Sequence, residues 1–178
     1  MTSDTEEDRR HLDWDLSYEE FSGDCEDLVE ISDSLGDGWT LVRQSDSVWL
    51  ELSQSITVSS RAALCQFQVH YSLSYRVPIL LSRYCWSSGE LMDHDTARRE
   101  VLGEMVSYEM VSMAPHPLTG LPWFQVHPCK TESVTREMRQ TEGREKCNSL
   151  VTFLSLYGQA VGLRLSPEYA RIKDPGER

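Results

Sequence analysis

The stretch Cys65-Gln66-Phe67-Gln68-Val69-His70-Tyr71-Ser72-Leu73-Ser74-Tyr75-Arg76 alternates between apolar and polar side chains for twelve residues. Successive side chains of an extended chain point to opposite faces, so Cys65, Phe67, Val69, Tyr71, Leu73 and Tyr75 share one face and the polar set shares the other. One packed face and one wet face is the mark of an antiparallel sheet. His70 falls on the wet face, as a surface or cross-strand residue rather than a ligand or base. Val77-Pro78 interrupts the run, and Ile79 to Trp86 resumes it as far as the Ser87-Ser88-Gly89 turn, giving the next antiparallel strand. Upstream, Trp39 to Val42 and Val48 to Ile56 read as two more strands around a polar turn at residues 44–47. There Val48, Leu50 and Leu52 alternate against Trp49, Glu51 and Ser53.

The sheet is flanked by helical patterns. Ser17-Tyr18-Glu19-Glu20 is a capping box, because the serine side chain can bond the third helical amide while the glutamate reaches back to the cap. Phe21, Cys25, Leu28, Val29 and Leu35 follow at helical spacing, and Gly36 and Gly38 supply the stop. Asp95 to Met110 has helical spacing in Ala97, Val101, Leu102 and Met105. Residues 114–122, rich in proline and glycine, form a rigid, irregular lead into a short strand, Trp123 to Val126. Residues 132–146 are charged and read as a loop or frayed helix. Asn148 or Ser149 can cap a final helix running to Leu163, apolar over nearly its whole circumference, which ends at Ser166-Pro167 and is followed by a short turn. The expected class is α+β: an N-terminal helix, a curved antiparallel sheet and a C-terminal helix. Residues 1–16 read as a flexible acidic tail, 17–171 as one domain and 172–178 as a second flexible tail.

Composition narrows the function. Of the net charge of −12, residues 1–60 carry 16 acids against 3 bases, and the remainder 13 against 14, so all the acidity is N-terminal. Such a field repels a phosphate backbone and argues against nucleic acid as a partner. No apolar run approaches the roughly 20 residues needed to cross a bilayer, and the N-terminus is acidic where a signal peptide is basic; a soluble, cytoplasmic protein is expected. Cys25, Cys65, Cys85, Cys129 and Cys147 are odd in number, widely spaced and free of any C-x-x-C, which favours reduced thiols over disulfides or a zinc site.

Chemistry concentrates at Leu118-Thr119-Gly120-Leu121-Pro122-Trp123-Phe124-Gln125-Val126-His127-Pro128-Cys129-Lys130-Thr131. A proline-stiffened corner at the end of a strand presents one thiol at a defined angle. A cysteine thiolate is strongly nucleophilic and can carry an acyl group as a thioester. Cys25, Cys65 and Cys85 lie inside predicted elements, and Cys147 reads as a capping-turn residue. His127, two residues before Cys129, suggests a Cys-His pair, although Pro128 spoils the alternation and no Asp or Asn stands by to orient the ring. The only asparagine is Asn148, and no protease signature surrounds the cysteine. No phosphate-binding loop is present, so any activation by ATP happens on another protein. An acyl carrier that receives a thioester made elsewhere remains, needing neither metal nor cofactor.

The pattern His116-Pro117-x-x-Gly120-x-Pro122-x-Phe124-x-x-His127-Pro128-Cys129-Lys130-Thr131 resembles the autophagy branch of the ubiquitin-conjugating enzymes. Tyr71-Ser72-x-Ser74-Tyr75-x-Val77-Pro78, Gly38-Trp39, Val161-Gly162-Leu163 and Pro167-x-Tyr169-Ala170 support the resemblance in a consistent order. It implies an α+β conjugating-enzyme core that accepts autophagy modifier twelve from autophagy activating enzyme seven as a thioester on Cys129. The modifier would then pass to a lysine of autophagy protein five. Ordinary members of the wider class place His-Pro-Asn before the cysteine, and its absence here leaves the developing oxyanion to Tyr71, Tyr75, Thr131 or a loop amide. Two alternatives differ in outcome: a sister enzyme that transfers its modifier to phosphatidylethanolamine, and a non-catalytic module that docks proteins by strand pairing.

Overall fold

The computed structural model describes residues 16–102, 106–127 and 148–170. Met105, Cys129, Thr131, the charged stretch 132–146, Cys147 and nearly all of both expected tails lie outside the described residues. Leu16, counted above with the N-terminal tail, is 4% exposed and belongs to the core.

Helix α1, Tyr18–Leu35, starts where the capping box requires: Ser17 Oγ accepts from the Glu20 amide and the Glu20 carboxylate accepts from the Ser17 amide. Phe21, Cys25 and Leu28 are fully buried, while Leu35, expected on the same face, is 37% exposed as the last turn runs past the core. Gly36 closes the helix at φ 68° and Gly38 bends the chain again at φ 94°, conformations open to glycine without a Cβ clash.

The sheet has six antiparallel strands in the order β1-β2-β3-β4-β6-β5. β1 is Thr40–Gln44, β2 Ser47–Val58, β3 Arg61–Ser72 and β4 Val77–Trp86, a meander whose last two members follow the alternation in the sequence. Two-residue turns join the first three strands, and the left-handed residues Ser45, Ser59 and Ser60 sit in them. β3 stops at Ser72 because Arg76, at φ 52°, closes a turn onto the Ser72 carbonyl. Leu73 and Tyr75 therefore leave the packed face and are 80% and 56% exposed.

Leu50, Leu52, Cys65, Phe67, Val69, Leu80 and Phe124 form the core side of the sheet, covered by α1 and by helix α3, Ser149–Tyr157. Asn148 caps α3 with its side-chain oxygen on two amides and joins it to α1 by donating to the Asp24 carbonyl. The expected helix to Leu163 is cut at Tyr157. A 3₁₀ turn, Gly158–Val161, follows, and Gly162 at φ 76° turns the chain. A Cβ on Gly158 would approach Leu163 to 3.1 Å, so a side chain there would require Leu163 to shift by a few tenths of an ångström. The short turn after Pro167 is present, and there the Tyr169 hydroxyl donates to Asp37, 132 residues away.

The helix expected over 95–110 is only partly formed. His94–Ala97, capped by Asp93, passes into a wide π-type turn, Arg98–Leu102, and together they form α2. Val111–Pro115, expected to be irregular or the end of a helix, is instead strand β5, paired with β6, Pro122–Val126. β5 is the sheet edge, where Pro115 is tolerated because no further strand needs its amide.

The second face of the sheet is wet only in part. Ser53, Ser55 and Thr57 are exposed, whereas Trp49 and His70 are 5% and 7% exposed and stack with ring centroids 5.4 Å apart, so His70 is a cross-strand residue rather than a surface one. His116, at the end of β5, lays its ring against both His70 and Trp123.

Candidate active site

The β5–β6 hairpin comes just before Cys129 in the chain, and its two ends are built differently. At the loop end, the His116 carbonyl accepts from the Gly120 amide, and Gly120 takes φ 68° to close the turn. His116 Nδ1 accepts from the Leu118 and Thr119 amides at 3.2 and 3.3 Å. Its proton therefore sits on Nε2, which donates to Gln68 Oε1 at 2.6 Å. His70 Nε2 shares that oxygen at 2.7 Å, and Gln68 Nε2 donates to Glu51, which also accepts from Trp49 Nε1. Burial pushes the His116 pKa down and takes His70 to about 4, with the neighbouring imidazole adding to the shift. Both rings are neutral structural groups. The His116-Pro117-x-x-Gly120 portion of the sequence pattern is thus the clamp of a loop.

At the other end β6 delivers His127. Its amide donates to the Met110 carbonyl at 2.9 Å, and its half-buried ring places Nε2 3.0 Å from Ser112 Oγ on β5. Arg98 fixes the strand approaching Ser112: its guanidinium bonds the Val106 and Val111 carbonyls and lies 3.7 Å from the centre of the Tyr108 ring. The sequence carried no sign of that role, since an arginine bonded to backbone carbonyls leaves no residue pattern.

β6 pairs antiparallel to β4 through Leu81↔Gln125 and Ser82↔Phe124. It therefore runs towards the start of β4 and the β3–β4 turn that exposes Tyr75. Tyr71 is placed elsewhere: its hydroxyl donates to the Leu16 carbonyl at 2.5 Å and its ring packs on Tyr18 and Phe21. Of the sequence candidates, His127 and Tyr75 lie at the same end of the sheet, Tyr71 is engaged with the N-terminal helix, and Cys129 and Thr131 lie outside the described residues.

The three described cysteines are free thiols, and all are buried. Burial raises the Cys65 pKa to about 12 and pushes the Cys25 thiol higher still, so neither supplies a thiolate near neutral pH. Among the described residues, no group of three or more His, Cys, Asp or Glu side chains could hold a metal ion. Nor is any described helix long and apolar enough to cross a membrane.

An α+β core of this kind, an N-terminal helix, a six-stranded antiparallel sheet and a C-terminal helix, is the scaffold of a conjugating-type active-site domain. Residues 42–168 match the family described as autophagocytosis associated protein, active-site domain, and the chain belongs to that family. It is similar to the ubiquitin-like-conjugating enzyme ATG10 of Arabidopsis thaliana, 32% identical over 63% of this chain and 55% of that protein. The proteins of the same name from Homo sapiens and Gibberella zeae are 29% and 27% identical, over 79% and 91% of this chain and 70% and 73% of theirs. Against the plant relative, then, the chain spans little more than half the length.

Proposed function

We propose that this chain is a ubiquitin-like-protein conjugating enzyme of autophagy that accepts autophagy modifier twelve from activating enzyme seven as a thioester on Cys129. It then transfers the modifier to a lysine of autophagy protein five, in the cytoplasm, with residues 17–171 as the catalytic domain. The observation that carries this reading is the burial of the described thiols: Cys25, Cys65 and Cys85 are all buried, while Cys129 follows in the chain two residues after His127, just beyond the end of β6.

In the charging step the Cys129 thiolate attacks the activated C-terminal carbonyl of the modifier, and the activating enzyme's thiolate leaves. In transfer, a lysine amine attacks the thioester, loses a proton and releases Cys129 as the thiol. The transition state places negative charge on the carbonyl oxygen. Tyr75 is the better tyrosine for that charge, because the Tyr71 hydroxyl is occupied by the Leu16 carbonyl.

The test is a charging assay with activating enzyme, modifier twelve and ATP, read on a non-reducing gel. A band lost on adding thiol is expected, and Cys129→Ser should convert it to a thiol-resistant ester. No adduct with modifier twelve, or transfer to phosphatidylethanolamine instead of protein five, refutes the reading. In the same assay Tyr75→Phe should still charge but transfer about 100-fold more slowly, as befits a group contributing about 3 kcal/mol to the transition state. Unchanged transfer would exclude Tyr75 from that role.

A further inference from the structure

β2 is longer than the strand beside it. β1 pairs only with residues 47–51 of β2, because the left-handed Gly36 and Gly38 turn the chain aside before Thr40. Among the described residues, the rest of β2, Leu52–Val58, is paired on one side alone, with β3. The phase of that pairing fixes which groups are free. The Ala62 carbonyl accepts from Ser87, on the β4 side, so the odd residues of β3 bond β2 and take its even residues as partners. The backbone N–H and C=O of Ser53, Ser55 and Thr57 consequently point outward, with no backbone partner among the described residues.

An edge of this sort is normally protected by charge, proline or a bulge. Ser53-Gln54-Ser55-Ile56-Thr57 has none of the three. Beside it runs a trough of about 1220 Å³, whose opposite wall is the C-terminal segment with Leu163 and Leu165 and whose lining includes half-buried Ile56. Asp37 and Glu100 line it too, with Arg164; Asp37 accepts from Ser32 and Tyr169, Glu100 accepts from Ser59 and is paired with Arg99, and the wider field is that of a chain with net charge −12.

We propose that the Ser53–Thr57 edge of β2 is a docking site for an extended, basic-apolar strand of a partner protein, bound by backbone pairing. Only an extended backbone offers acceptors and donors at every second residue to match three outward amides and carbonyls. Its alternate apolar side chains fill the trough over Ile56 and Leu165, and its basic residues are drawn by the net charge of −12. This site is separate from the hairpin that leads to Cys129, so the thioester assay can fail while this proposal stands, and the reverse.

The probe is a blocked heptapeptide of alternating lysine and valine, with two twins N-methylated along one or the other edge. Amide hydrogen exchange of the full chain should slow at least tenfold at Ser53, Ser55 and Thr57 with the parent peptide and with one twin, and not with the other. Ser55→Pro removes the central outward donor without touching the β3 ladder, where an edge proline is tolerated; it should abolish the protection, and Ser55→Ala should keep it. Should Ser55→Pro not fold, the methylated pair decides alone. Equal protection by both twins means attraction by charge only, and protection confined to other residues means another site; either overturns the proposal. So does a concentration-dependent dimer, in sedimentation, that Ser55→Pro abolishes, since the edge then serves a second copy of the chain.

Discussion

The β5–β6 hairpin carries a histidine at each end, and the two are held in opposite ways. His116 is 4% exposed with both ring nitrogens committed, Nδ1 to two loop amides and Nε2 to Gln68. His127 is half-buried, and its ring partner among the described residues is the Ser112 hydroxyl, which can donate or accept. A ring whose every bond depends on one tautomer is a structural part. One that faces a rotatable hydroxyl keeps its bond in either tautomer. The same hairpin therefore has a fixed end that sets the loop and a tolerant end that leads to the proposed nucleophile.

The largest effect should come from breaking the fixed end. His116→Ala removes a buried ring, frees the Leu118 and Thr119 amides, and takes one of two donors from Gln68 Oε1. Losing a buried polar hub of this kind costs about 3 kcal/mol. Urea unfolding should show the midpoint falling with little change in slope. A loss below about 1 kcal/mol would mean the loop is held by its Gly120 turn instead.

Acid should attack the same cluster more gently. Folded His70 is held near pKa 4, below the 6.5 of an exposed imidazole, and burial moves His116 in the same direction. Between those pH values the unfolded chain binds more protons than the folded one, so stability falls as pH drops from 6.5 towards 4 and is insensitive to these groups above 6.5. His70 alone accounts for a loss on the order of 2 kcal/mol by the middle of an acid titration to pH 5. In His70→Phe, which keeps a flat ring against Trp49, the decline over that window should shrink. An equally steep decline in the variant would assign it to carboxylates.

How much of this could be read from the chain alone follows from the range of the forces involved. The start of α1 was legible because a capping box is a contact between residues three apart. The β3–β4 pair was legible because the alternation is its cause. Val111–Pro115 was not, because five residues ending in proline have no strand signal of their own and become a strand through pairing with β6. His70 packs across the strands on Trp49 because His116 returns to cover that part of the second face, and nothing local to residues 65–76 signals that return. The C-terminal helix was drawn too long because apolar residues continue past Gly158, where contact with Leu163 ends it. Near the site, the strand that ends at Val126 was legible from its short apolar run. The engagement of Tyr71 with Leu16, 55 residues away, was not.

The tolerant end of the hairpin should give the smallest effect, and it separates a supporting residue from a reacting one. His127→Gln retains a side-chain amide that can reach Ser112 Oγ, and leaves the backbone bond to Met110 in place. Stability should change by no more than about 0.5 kcal/mol in urea unfolding, the usual range for a substitution outside a buried network. If His127 only orients the chain towards Cys129, thioester formation and the pH profile of transfer should both match the parent protein. A general base would behave otherwise: the rise of the transfer rate through the imidazole range would disappear in the glutamine variant while charging at high pH survived. Matching profiles would give both hairpin histidines structural work, at different costs. A lost titration would confine that work to His116, the ring whose two nitrogens are already spent.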